Sequence, residues 1–291
     1  MPAKPKKHAP PFESYLAHAS VKATASASAI QSAYKIEVRF LGGLSAAQKS
    51  AFKKAADRWS RVIIGDVPSV MVGGEVIDDL LIEAQGVAID GPGKILGQAG
   101  PTNLRPASAG ANAFLPAKGI MSFDTADLAK MQADGTLLDV ITHEMGHVIG
   151  IGTIWAHKQL LVGAGSANPT FKGIGAKREY GILKGTGPAA VPVENIGGAG
   201  TRDSHWRESV FKTELMSGFI AAPGNPLSKM TVASLKDLGY VVNLNAAEPY
   251  SLPNLHALAE AGLLAAGGGV EHRHALPIFA PKVLPDSSLS F

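Results

Sequence analysis

The spacing of apolar residues predicts a strand and then a helix near the start of the ordered chain. Ile36, Val38 and Phe40 alternate with polar residues, which predicts a half-buried strand over Tyr34–Leu41. Two glycines end this pattern. Ser45 is typical of a helix N-cap, and the apolar residues after it fall on one face of a helix.

A second amphipathic helix is predicted over Thr136–Ile149. Thr136 and Asp139 match the capping box, and Gly150 follows the last apolar position. A short strand, Gly119–Phe123, precedes this helix. Residues 90–101 are rich in turn formers, and residues 152–204 are rich in Gly and Ala with little periodicity, so we expect loops there. Later helices are predicted over residues 231–238 and 254–265.

Composition narrows the class of protein. The 291 residues are 46% hydrophobic and 18% charged, with a net charge of +3, which excludes a disordered chain. Beyond the first few residues the chain has no stripe of basic residues, so the sequence gives little support for nucleic-acid binding. No apolar run is long enough for a membrane span. The chain has no cysteine, which excludes disulfides, thiolate zinc sites and cysteine nucleophiles.

The N-terminus is basic but is followed by no apolar segment, so we expect no conventional signal peptide. A cytoplasmic location and export by a signal-less route both fit this pattern, and the compartment stays open. The sequence does not set the oligomeric state.

The predicted helix over residues 136–149 contains the motif His143-Glu144-Met145-Gly146-His147, an HExxH. Residues four apart lie on one face of a helix, so both imidazoles can bind one metal ion. Glu144 lies beside that face, where it can act on water without being a ligand. The alternative is that His143 and His147 are ordinary helix histidines.

A catalytic zinc ion usually has three protein ligands and one open position. In the pattern HExxHxxGxxH the third histidine follows six residues after the second, but Thr153 occupies that position here. We favour His205 as the third ligand, because glycines flank it and Trp206 adjoins it. The segment Glu214–Gly218 begins nine residues after His205, and its Met216 lies in a predicted tight turn that can form the floor of the site. The other downstream histidines are His157, His256, His272 and His274, and a carboxylate ligand in place of His205 would come from Glu179, Glu194, Glu208 or Glu214.

These motifs together resemble the leishmanolysin family of metzincin zinc proteases. The elements HEMGHVIGIGTIW, a long insertion, DSHW and ELMSG occur in that order, and residues 225–240 are similar to the helix after the family's Met-turn. The resemblance extends over roughly residues 119–250. The chain differs from the eukaryotic relatives in having no cysteine.

The resemblance implies one zinc ion bound by His143, His147 and His205, with Glu144 as general base and Met216 in the Met-turn. Gly150 would turn the chain out of the helix. The implied fold is an α+β metzincin-like domain with a small twisted mixed sheet, an active-site helix and a loop-rich C-terminal subdomain. We predict a mobile or loosely docked arm over residues 1–33, followed by a catalytic domain over residues 34–250. This domain divides into an N-terminal subdomain, 34–150, and a C-terminal subdomain, 151–250. A C-terminal helix and an extended tail are predicted over residues 251–291.

The expected activity is zinc-dependent hydrolysis of peptide bonds in a peptide or protein substrate, by a zinc-bound water that Glu144 activates. We expect an extended substrate to add as a strand to Gly119–Phe123, as the edge of the cleft. The alternative is a catalytically silent zinc-binding module that holds a protein or peptide partner in the same cleft.

Overall fold

The computed structural model describes residues 12–18, 34–91, 93, 95–198, 200–220, 222–254, 273–275 and 280–290. The predicted helix over residues 254–265 lies, beyond Asn254, outside the described residues, as do His256 and His272. The described strands are β1 (Glu13–His18), β2 (Lys35–Gly42), β3 (Val70–Val72), β4 (Glu75–Ile77), β5 (Leu80–Val87), β6 (Ile95–Leu104), β7 (Pro116–Asp124), β8 (Leu161–Val162), β9 (Thr170–Phe171), β10 (Val191–Pro192), β11 (Arg273–Ala275) and β12 (Lys282–Val283). The described α-helices are α1 (Ala46–Val62), α2 (Thr125–Asp134), α3 (Leu137–Ile149), α4 (Ile174–Lys184), α5 (Glu208–Phe211) and α6 (Lys229–Leu238).

A mixed seven-stranded sheet forms the scaffold, in the order β1-β2-β5-β7-β6-β11, with β12 also paired to β6. Strands β2, β5 and β7 are parallel, whereas β1 and β6 run antiparallel to their neighbours β2 and β7. Helix α1 packs against β1 and β2, α3 packs against β6 and β7, and the two helices pack on each other. The fold is therefore α+β, as the sequence predicts.

The prediction that Gly119–Phe123 forms the edge of the cleft is wrong. These residues belong to β7, which is paired with β5 on one side and with β6 on the other. Both rows of backbone hydrogen-bonding groups are therefore used within the sheet, and no peptide can add to this strand.

Two strands occur where the sequence favours irregular structure. Within the predicted arm over residues 1–33, Glu13–His18 form the edge strand β1. These residues are extended because their backbone pairs with that of β2. The predicted turn-rich segment over residues 90–101 contains most of β6. Pairing with β7 overrides the local preference of its glycines, and the register of this pairing shifts between Pro101 and Asn103.

Helix α1 begins as predicted. The Ser45 hydroxyl accepts from the Gln48 amide, and the Gln48 side chain accepts from the Ser45 amide at 2.8 Å, which completes a capping box. Its buried face carries Phe52 and Trp59. Phe52 packs edge-on between Phe40 of β2 and Phe123 of β7, so this helix is fixed across the centre of the sheet.

Helix α3 begins differently from the prediction. Thr136 is its N-cap residue but makes no side-chain capping bond, so the predicted capping box is absent. The Asp139 carboxylate instead turns to a distant loop. Its Oδ2 accepts from the backbone amides of Gly224 and Asn225 at 2.6 and 3.2 Å, and Arg58 of α1 lies 3.5 Å away. Asp139 thus joins the helix to the second half of the chain.

The predicted loop over residues 152–204 contains regular structure. Strands β8, β9 and β10 form a small antiparallel sheet, and α4 packs against α6. The glycines within and around α4 weaken its apolar period, so the helix gives no clear signal in the sequence. Helix α6 matches its prediction and is followed by Gly239. None of the helices in the described ranges is long and apolar enough to cross a bilayer.

Arg105 holds together the region where β6 ends and β7 begins. The side chain is fully buried, and its guanidinium donates to the carbonyl oxygens of Pro68, Pro116, Asp78 and Asp79 at 2.6–2.9 Å. A lysine has one ammonium group in place of this planar fork and cannot reach all four oxygens. We expect Arg105→Lys to lower the free energy of unfolding, measured in urea, by about 2–4 kcal/mol.

The matched control is Arg61→Lys, on the exposed side of the last turn of α1. It makes the same chemical change away from buried acceptors, so we expect an effect within about 0.5 kcal/mol. Equal losses in the two variants would contradict a role for the four buried carbonyl bonds.

Candidate metal centre

Three histidines from two distant parts of the chain meet at one point. His143 and His147 project from α3 one turn apart, and His205 comes from the segment that precedes α5. Their Nε2 atoms lie 3.0 Å from one another in all three pairs. All three side chains are 0% exposed.

Backbone carbonyls fix the orientation of each ring. Nδ1 of His143 lies 2.7 Å from the Leu215 oxygen, and Nδ1 of His147 lies 2.9 Å from the Ile151 oxygen. Nδ1 of His205 lies 2.9 Å from the oxygen of Thr201, with Ser204 Oγ at 3.0 Å. A carbonyl oxygen can only accept, so each Nδ1 carries the proton. In the neutral ring the lone pair is then on Nε2, and the three lone pairs converge.

This donor set fits a divalent metal ion. Zinc binds imidazole nitrogen at about 2.0–2.1 Å, and nitrogens 3.0 Å apart can all reach one such ion. A histidine ligand usually donates its second ring N–H to a carbonyl or carboxylate, which fixes the tautomer and raises the basicity of the other nitrogen. His143, His147 and His205 all have that arrangement. In the part of the chain that the structure describes, they form one of two groups whose side chains could hold a metal ion, the other being Asp66, Asp78 and Asp79.

Glu144 lies on α3 directly after His143 and is 1% exposed. A buried carboxylate is unfavourable unless it interacts with polar groups or a cation. Its place in the sequence, between the two helical ligands, makes it the nearest acidic residue along α3 to the metal-ligating pair.

Glycines allow the chain to leave α3 and return to the site. The helix ends at Ile149, and Gly150 follows with φ of +121°, a backbone conformation that side chains with a β-carbon rarely adopt. Gly152 also has a positive φ, and a β-carbon there would lie 2.0 Å from the backbone oxygen of Ser204. This close approach sets the end of α3 against the backbone next to His205.

Met216 packs against Gly146 of α3. It is fully buried, and a β-carbon on Gly146 would lie 2.8 Å from its sulfur and 3.0 Å from the Trp59 ring. The Trp59 indole N–H donates to the Thr142 oxygen at 2.9 Å, just before the HExxH motif. The carbonyl of Leu215, the residue before Met216, accepts from His143. The turn that contains Leu215 and Met216 therefore contacts both α3 and one of its histidines.

A buried carboxylate holds the Met216 turn in place. Glu214 accepts from the Met216 amide at 2.7 Å, the Ser228 amide at 3.1 Å, the Ser228 hydroxyl at 2.7 Å and the Thr231 hydroxyl at 2.5 Å. Burial raises the pKa of Glu214, and these hydrogen bonds oppose that rise. The Trp206 indole donates to the same Thr231 hydroxyl at 2.8 Å. The sequence places Glu214 beside Met216 but gives no sign of this structural role.

The remaining candidates are placed elsewhere. His157 stacks on Phe114, and His274 lies in β11. Glu194 accepts from the backbone amides of Asn195, Ile196 and Glu208. Burial raises the pKa of Glu208 to about 7. Among the described residues, His143 and His147 are grouped with His205, and none of the four glutamates considered as a replacement for it is in that group.

We expect Gly146→Ala to lower the free energy of unfolding by about 1–2 kcal/mol. Alanine gains about 1 kcal/mol in helix propensity, but the new methyl group overlaps the Met216 sulfur and the Trp59 ring. Urea unfolding of the purified variant measures the change.

Gly187→Ala is the matched control, because no atom lies within 4 Å of a β-carbon at that exposed position. In a Met216→Ala background the added methyl at residue 146 has room, so its effect on stability should become smaller. An unchanged effect in that background would contradict direct packing of Met216 on Gly146.

A comparison with known protein families finds a match in the second half of the chain. The family model for leishmanolysin matches residues 176–257, less than a third of the 291 residues. That range contains His205 and Met216, whereas α3 precedes it. A search of curated proteins finds no match. The family match supports a metallopeptidase and confirms the resemblance to the leishmanolysin family.

Proposed function

We propose that this protein is a zinc-dependent endopeptidase that uses His143, His147 and His205 as metal ligands and Glu144 as general base. The observation that carries the proposal is the convergence of three Nε2 atoms, each on a ring whose Nδ1 donates to a backbone carbonyl. Three protein ligands are typical of catalytic zinc sites, whereas structural sites use four.

The family match provides a second line of support, from a different part of the chain. It covers residues 176–257, which bring His205 and Met216 to the site, while the HExxH motif lies on α3. Leishmanolysins are metallopeptidases, so peptides or proteins are the expected substrates.

In the proposed reaction, Glu144 accepts a proton from the attacking water and returns it to the leaving amine. A bound zinc ion would polarise the scissile carbonyl and lower the pKa of water to about 7. His143, His147 and His205 must stay neutral for this purpose, and their hydrogen bonds to the carbonyls of Leu215, Ile151 and Thr201 keep the proton on Nδ1.

The first test is Glu144→Gln, which keeps the size of the side chain and removes the base. We expect kcat to fall by about 10²–10⁴-fold with zinc content unchanged. Zinc-loaded protein is incubated with a denatured protein mixture, and new termini are counted by mass spectrometry.

The control for this test is Glu75→Gln, on an exposed strand residue that pairs with Arg39, and it should cleave like the wild type. Equal cleavage by wild type and Glu144→Gln would contradict the role of the base. Zinc binding without cleavage by any of the proteins would favour the silent binding module.

The second test concerns the third ligand. We expect His205→Ala to weaken zinc binding by at least about 100-fold, because one of three ligands is lost. Competition with a chromophoric chelator measures the affinity. The control is His157→Ala, which removes a ring stacked on Phe114. A change below about threefold for His205→Ala would mean that His205 does not bind the metal.

A further inference from the structure

The sheet edge next to α3 is paired at both of its ends with strands of the same chain. Helix α3, which carries His143 and His147, packs against β6 and β7, and β6 is the outer strand of that pair. On its outer side β6 pairs with β11 near its start and with β12 at its end. Both pairings are parallel.

This edge is where an extended peptide would add to the sheet. A peptide that binds as a strand needs a row of unpaired backbone N–H and C=O groups. The other strand above α3, β7, is paired on both sides. Among the described strands that contact α3, β6 therefore has the edge on which a substrate can be held, and β11 and β12 pair with parts of that edge.

The metal centre is also closed to solvent. Glu144 is 1% exposed and the three histidines are 0% exposed. An endopeptidase must admit a peptide to such residues, so a part of the protein has to move before substrate binds.

The two C-terminal strands differ in how firmly they are held. After β12, the Leu284 amide donates to the Leu104 oxygen at 2.9 Å, and the buried Leu284 side chain packs on Val70 and Ala117. The Ser290 amide donates to the Ser69 oxygen, also at 2.9 Å. This end of the chain is anchored to the body of the protein by side-chain packing and hydrogen bonds.

Strand β11 is held more weakly. It comprises three residues, and its register against β6 shifts between Arg273 and His274. Parallel pairing is slightly less stable per residue than antiparallel pairing, and so short a ladder is readily broken. Because β12 tethers it, β11 competes with a free peptide at a high effective concentration.

We propose that β11 is an autoinhibitory strand that occupies the peptide-binding edge of β6 and must be displaced before substrate binds. This inference rests on the proposed peptidase function, since it concerns access to the same site. The paired β11 raises the apparent KM for a peptide and leaves kcat nearly unchanged, because the inhibitory strand competes with substrate without altering the catalytic groups.

The test uses the full-length, zinc-loaded protein with His274→Pro and Ala275→Pro together. Successive residues of a strand alternate in the side to which their N–H points, so two consecutive prolines remove at least one donor from the pairing with β6. The matched control, His274→Ala with Ala275→Ser, changes both side chains and keeps both N–H groups. Thermal unfolding confirms that each variant is folded.

Three readouts are taken on wild type, the proline variant and the control. They are KM and kcat for a fluorogenic peptide, the Kd of an uncleavable peptide hydroxamate, and hydrogen exchange of the backbone amides of residues 95–98, where β6 pairs with β11. We expect the proline variant to exchange faster in β6 and to show about a tenfold lower KM and Kd. The control should match the wild type.

Each other outcome decides the inference. Faster exchange with unchanged KM and Kd would overturn it, since β11 would then only complete the sheet. Unchanged exchange in β6 would overturn it as well, because β11 would not cover that edge. If no protein cleaves but the hydroxamate binds more tightly to the proline variant, β11 still guards the site and the proposed peptidase function fails.

Discussion

The organisation of the site depends on three carbonyl oxygens that orient three imidazole rings. Without a cation, three Nε2 lone pairs 3.0 Å apart repel one another. Each N–H···O bond contributes only about 1 kcal/mol net, so these bonds direct the rings but cannot alone hold them together. The carbonyls belong to Leu215, Ile151 and Thr201, in three separate segments. The packing of those segments therefore determines whether the three Nε2 atoms converge.

Buried carboxylates join the turn that contains Leu215, and the helix α3, to other parts of the second half of the chain. Glu214 links the Met216 turn to the start of α6 through Ser228 and Thr231, and Asp139 links α3 to residues 224 and 225. Each carboxylate accepts several hydrogen bonds, and these offset the cost of removing its charge from water. Loss of one such residue leaves several backbone amides without an acceptor, so the two halves of the chain are coupled through few side chains.

Local patterns predicted the parts of the fold that local interactions determine. The Ser45 cap, the apolar faces of α1 and α3 and the HExxH spacing all lie within single helices. The local pattern does not indicate strand β6, because its glycines and Pro101 favour turns and only pairing with β7 makes it extended. The neighbours of His205 in the sequence favour it as a ligand, but its placement needs Gly152 to approach Ser204, a contact across 52 positions. The cap expected at Thr136 is absent because Asp139 interacts with the distant loop instead.

The outer edge of β6 is under two opposing requirements. A long unpaired strand edge promotes association with other chains, so native sheets cover or interrupt it. A peptidase that holds its substrate as an added strand needs the same edge to be available. A covering strand that is short and irregular, in a chain that is anchored at Leu284 and Ser290, meets both requirements. It protects the edge at rest, and its displacement costs little free energy. A long antiparallel strand in that place would close the edge permanently, and an untethered one would be lost after its first displacement.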